Sequence, residues 1–121
     1  MNSIYDSHKE ACTKILSLDE SIRFVGRIKD RKLVTFVRRE GLTPLLDDEL
    51  GNMAHYQASF KASMEDMFDN SLGKTNWMIT SKEYVTLITV FLDDGLLILS
   101  TESDADPFKI IKDIQTLNKK L

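Results

Sequence analysis

Gly73-Lys74-Thr75 is the one tripeptide in the chain that could end a phosphate-binding P-loop, where a glycine, a lysine and a hydroxyl residue cradle an anion. The signature also needs a glycine at position 68, which is Phe68, and a strand before the loop, where this chain reads as helix. Gly73 is therefore read as a helix C-cap. His8 and Cys12 stand four apart on a helical pattern and could share a metal, with His55 arriving from another element. Two soft ligands do not make a zinc site, and the favoured reading is a core cysteine with two surface or interface histidines. No spacing favours a Cys-His or Ser-His-Asp nucleophile held by a third, orienting group. The expectation is a protein without catalytic residues, cofactor or metal.

Charge and methionine patterns say more. Arg23, Arg27, Lys29, Arg31, Lys32, Arg38 and Arg39 fall within one predicted hairpin, whereas the helix that follows holds Asp47, Asp48, Glu49, Glu65, Asp66 and Asp69 against Lys61 alone. The simpler reading is a charged edge strand that resists aggregation, with acids placed at the helix ends. The functional reading is an anion-binding patch of Arg27, Lys29, Arg38 and Arg39, because neighbouring arginines offer fork-shaped donors to a phosphate or an acidic protein surface. On the middle helix, Met53, Tyr56, Phe60, Met64 and Met67 read equally as gap-filling core and as an adaptable interface; with Trp77 they are the candidate dimer contact.

The elements that position these groups follow from periodicity. Residues 84–101 contain two runs of strand formers joined by Asp93, Asp94 and Gly95, a β-hairpin apolar on both faces, so each side of the sheet needs a cover. Leu87, Val90, Phe91, Leu97, Ile98 and Leu99 are expected to be the least accessible residues. Upstream, Ser3 can cap a helix to about Leu18, carried by Ile4, Ala11, Ile15 and Leu18. Ile22, Phe24 and Ile28 alternate with basic residues, and a turn at Asp30-Arg31 leads into Leu33–Arg39. Thr43-Pro44 predicts the start of a helix whose stripe runs through Leu46, Leu50 and Met53 to Leu72, about 43 Å if unbroken. Such a helix bends near Gly51-Asn52 or reaches beyond its own sheet. A strand over Thr75–Thr80 precedes the hairpin, and Asp106-Pro107 opens a last helix along Phe108, Ile111, Ile114, Leu117 and Leu121.

The expected fold is α+β: a five-stranded antiparallel sheet with helices on both faces, in the order α-β-β-α-β-β-β-α, forming a single domain over residues 1–121. That length supports one core without staples. A lone cysteine, no export signal at the N-terminus and only strand-sized apolar runs indicate a reduced, cytoplasmic setting with no membrane span. A net charge of -3 argues against a general nucleic-acid binder.

This order of elements, a hairpin, a mid-chain helix and a three-strand meander, resembles the roadblock/dynein light chain family of the profilin-like superfold. The stretches Ile22–Ile28, Arg38–Leu45, Phe68–Lys74 and Leu96–Glu102 are similar to a family of short archaeal proteins that brings no catalytic motif. The roadblock resemblance implies a homodimer in which the mid-chain helices adjoin and edge strands join two sheets into one. It implies a non-enzymatic interaction or regulatory module, with a small GTPase or another signalling protein as partner. The alternative is a PAS- or GAF-like sensor whose sheet and middle helix enclose a small ligand. Packing separates the two, since a sensor needs a concave apolar pocket and a platform a filled interior beneath an exposed patch.

Overall fold

The computed structural model describes residues 4–120, and side chains from 7 to 118. Ser3, the expected helix cap, and Leu121, the expected end of the last stripe, lie outside the described residues, as does the side chain of Ile4. Helix α1 (Ile4–Leu16) leads into the antiparallel pair β1 (Ile22–Lys29) and β2 (Lys32–Arg38). Asp30 and Arg31 between them both take positive φ, 51° and 66°, the pairing whose twist suits a two-residue hairpin. Next come α2 (Asp48–Glu65), a 3₁₀ turn at Asp66–Phe68 and the short α3 (Asp69–Leu72). The meander β3 (Trp77–Ser81), β4 (Val85–Leu92) and β5 (Gly95–Glu102) and helix α4 (Pro107–Lys120) complete the expected order.

All five strands form one antiparallel sheet ordered β2-β1-β5-β4-β3, so the chain's first and last strands meet at its centre and β2 and β3 are its edges. Gly95 makes the closest approach. Its φ is 148°, and a Cβ there would lie 2.1 Å from the carbonyl oxygen of Ile28, so only glycine lets the β4–β5 turn sit against β1.

The middle helix departs from expectation at both ends. It starts at Asp48, not Pro44, because Asp47 is the residue that caps it: its backbone is extended, and its carboxylate accepts the Leu50 amide at 2.8 Å. It continues unbroken past Gly51 and tightens into the 3₁₀ turn after Glu65, so the 18-residue α-helix is about 27 Å long and not about 43 Å. Gly73 closes the segment at φ 86°, its amide bonding to the Asp69 carbonyl.

Helices cover both faces of the sheet, but the two sides pack differently. Cys12 and Ile15 from α1 and Ile110, Ile111 and Ile114 from α4 join Ile22, Val25, Ile88, Val90, Leu97 and Leu99 in the main core. No α2 residue belongs to it. Of the hairpin residues expected to be least accessible, Val90, Leu97 and Leu99 face this core and are buried, while Leu87 and Ile98 face the α2 side and are half-buried, as is Phe91. A register shift in β1 between Ile22 and Phe24 puts Ile22 in the core and leaves Phe24 beneath α2, so they do not share a face as simple alternation implies.

Candidate functional site

Helix α2 carries its bulk on the side away from the sheet. At 100° per residue, Met53, Tyr56, Phe60 and Met64 fall within one 80° sector, and the opposite sector holds Ala54, His55, Ala58, Ser59 and Ala62. The small residues turn inward and are half-buried or buried, whereas the large ones are 51–73% exposed. Met67, in the following 3₁₀ turn, continues the outer stripe at 77%. A soluble helix normally buries its large apolar face. Here that face is uncovered within the chain.

Trp77 is not part of the same surface. It sits on edge strand β3 and points to the opposite side of the sheet, where its ring meets Phe108 of α4 edge-on at 5.8 Å. Trp77 marks the free edge of the sheet, and the five α2-side residues mark the helix ridge.

The four basic residues of the proposed patch are also dispersed. Arg27 is buried, and its guanidinium donates to the carbonyls of Ile28 and Leu96 and to the Asp94 carboxylate, tying β1 to the β4–β5 turn. Burial alone would raise the Asp94 carboxyl; the adjacent Arg27 charge and hydrogen bond outweigh it and hold the group below the usual carboxylate range. Arg39 donates to Ile22 O at 2.8 Å, Leu16 O at 2.7 Å and Asp19 O at 2.9 Å, pinning the end of α1 to the sheet. Lys29 is half-buried at the end of β1, opposite Lys32. Arg38 alone is exposed on the α2 side, its guanidinium 5.5 Å and 5.6 Å from the ring centroids of Phe24 and Phe36.

Beneath α2 lies a cavity of about 890 Å³, which the residue pattern did not reveal. Its floor is the α2 face of the sheet, including Met78, Leu87 and Ile98; its roof is Gly51, Ala54, His55 and Ala58; Leu42, Leu45 and Leu46 form a side wall. His55, Phe24 and Phe36 stack in sequence at 5.9 Å and 5.5 Å, with Arg38 above the two phenyl rings. Gly26 makes room for this stack, since a Cβ there would come within 2.9 Å of the Phe24 ring and of Leu33. The Nδ1 of His55 is buried without a hydrogen-bond partner, and burial, then the Arg38 charge, push the imidazole below its ordinary pKa. The one sequence signal for the cavity was the i, i+4 pair Ala54 and Ala58, too small to fill the space under a helix.

The remaining candidates are structural in their surroundings. Gly73-Lys74-Thr75 follows a helix, and Thr75 Oγ1 lies 3.4 Å from Glu65 Oε2. His8 and Cys12 line a smaller cavity of about 380 Å³ with Arg27 and Asp94, away from His55. Burial pushes the Cys12 thiol up to about 11, which suppresses the thiolate needed for attack or metal binding. Among the described residues, no three His, Cys, Asp or Glu side chains gather at metal-binding distance, and no helix is long and apolar enough to cross a membrane.

Solved structures share this fold over most of the chain. A Roadblock/LC7 domain from Streptomyces avermitilis superposes with a TM-score of 0.71, at 11% identity, over 93% of this chain and 92% of that one. The fold is that of a roadblock/LC7 domain. The gliding protein MglB from Thermus thermophilus shares the roadblock fold at a TM-score of 0.67 and 13% identity, over 96% of this chain and 86% of its own. So does a structure of MglB with a tetrameric arrangement, at 0.67 and 14%, over 96% and 85%. No protein-family model matches the sequence, nor does any curated protein. The roadblock fold here is thus carried by topology and packing at very low sequence identity.

Proposed function

We propose that this chain is a non-enzymatic, homodimeric interaction or regulatory module of roadblock type, working as a cytoplasmic platform for a signalling protein. The carrying observation is the reversed α2 helix, with Met53, Tyr56, Phe60 and Met64 turned to solvent and alanines turned inward. A second copy of the same ridge is the cover that the roadblock resemblance implies, with edge strand β3 and its Trp77 continuing the sheet across the pair. A contiguous apolar face of this kind on an otherwise charged chain fits a protein contact better than open water. The similar MglB structure with a tetrameric arrangement is in keeping with self-association in this fold. A small GTPase is the partner class that the resemblance brings, with Arg38 as the exposed cation left to meet an acidic surface.

Light scattering at micromolar concentration tests the pairing. Two chains per particle are expected, and Phe60→Asp or Met64→Asp is expected to yield single chains by placing an unpaired charge in the contact. A wild-type mass of one chain across the range would remove the proposal's foundation.

A further inference from the structure

Of its polar groups, the cavity under α2 lends Arg38 alone to the platform reading. Its volume of about 890 Å³ lies within the roughly 300–1,000 Å³ typical of small-ligand sites. The roof residues Gly51, Ala54 and Ala58 leave a trough along the helix axis, about 10 Å from the first to the last. Beneath it, Met78, Leu87 and Ile98 present hydrocarbon. Arg23, Lys61 and Lys82 also line the cavity, but one ring brings two polar groups together: Phe24 carries the unpartnered His55 on one contact and the Arg38 guanidinium on another. Among the described residues Arg38 has no carboxylate partner, unlike Arg23 and Arg27.

We propose that this cavity binds one linear amphipathic anion of the fatty-acid type, its chain along the trough and its carboxylate between Arg38 and His55. A guanidinium already held over two rings keeps its donors in one place and can grip a carboxylate with two parallel N–H bonds. The Nδ1 of His55 is buried and unpartnered, so the ring must turn for its Nδ1–H to reach the carboxylate; the bond then made removes the cost of a buried unpaired group. The hydrocarbon tail replaces water over apolar walls that no side chain of the protein covers. Asp47 and Asp48 also line the cavity, at the start of α2, and favour a cationic head there; Asp47 is engaged in capping the helix. The inference is independent of how the chain pairs, so a failed dimer test leaves it standing.

The test is a methyl-detected NMR titration of the full chain with dodecanoate, dodecan-1-ol and dodecyltrimethylammonium, each below its micellar concentration. Dodecanoate is expected to shift the methyls of Met78, Leu87 and Ile98 saturably at one molecule per chain, binding at least tenfold more tightly than the alcohol. Arg38→Gln should bring the carboxylate down to the affinity of the alcohol while leaving the alcohol unchanged, with unshifted Ile22 and Ile110 methyls reporting an intact core. Shifts confined to Met53 and Met64 on the outer ridge, equal affinity for acid and alcohol, tighter binding of the ammonium, or a preference that survives Arg38→Gln would each overturn the proposal.

Discussion

Ile88 and Leu87 are neighbours on β4 with side chains of equal volume, yet the unequal packing of the sheet's two faces predicts very different costs for shortening them. Ile88 is 1% exposed in the core shared by α1 and α4. Ile88→Ala removes buried carbons and leaves a closed void, for about 3–5 kcal/mol. Leu87 is half-buried against the cavity under α2, so Leu87→Ala enlarges an existing space and makes no new one. Only the transfer term remains. Three carbons at about 0.8 kcal/mol each, half of it already lost to exposure, give about 1 kcal/mol. The expected gap of about 2–4 kcal/mol corresponds to roughly 10 °C in melting temperature for a chain of this size. Urea denaturation of both variants at one protein concentration measures it, because self-association makes stability depend on concentration. Equal losses would mean that α2 packs on the sheet as tightly as α1 and α4 do, and would remove the cavity from the account.

Arg39→Ala strips three carbonyls of a charged donor and should cost about 2–3 kcal/mol in the same assay; a change under about half a kcal/mol would show that α1 is held by packing alone. Cys12, fully buried with its thiol pushed up to about 11, should react with an aromatic disulfide reagent only as fast as the protein unfolds, and faster in Ile88→Ala; rapid labelling under native conditions would contradict its burial. Because His55 binds a proton less readily folded than unfolded, its contribution to stability is intact above the unfolded pKa of about 6.5 and is lost as pH falls toward the lower folded value. His55→Phe should flatten that slope in part, since burial and the Arg27 charge lower His8 too; an unchanged slope would exclude His55 as a source.

Element order was legible because turn chemistry and apolar runs are local: Asp30-Arg31 and Asp93-Asp94-Gly95 each specify a hairpin without reference to the rest of the fold. The start of α2 was misplaced because Thr43-Pro44 and Asp47 both carry cap chemistry, and only the structure shows which side chain reaches an amide. Periodicity grouped Met53, Phe60 and Met64 on one face correctly. It carries no information about which way that face turns, so the same stripe fitted a core or a ridge. The basic hairpin was illegible for a related reason, as formal charge does not disclose that the donors of Arg27 and Arg39 are engaged by main-chain carbonyls. The alanines of α2 are the cavity's one local trace, because the rest of it is space between distant segments.

The central pairing of β1 with β5 carries a consequence for how the protein is made. Ile28 lies beside Leu96, and Ile22 beside Thr101, so the β1–β2 hairpin has no neighbour on its inner side until β5 has been synthesised. Closing so long a loop slows folding, and during that wait the unpaired edge of β1 is exposed to other nascent chains. Lys29, Arg31 and Lys32 put like charges at its tip, where two such hairpins on neighbouring nascent chains would have to meet.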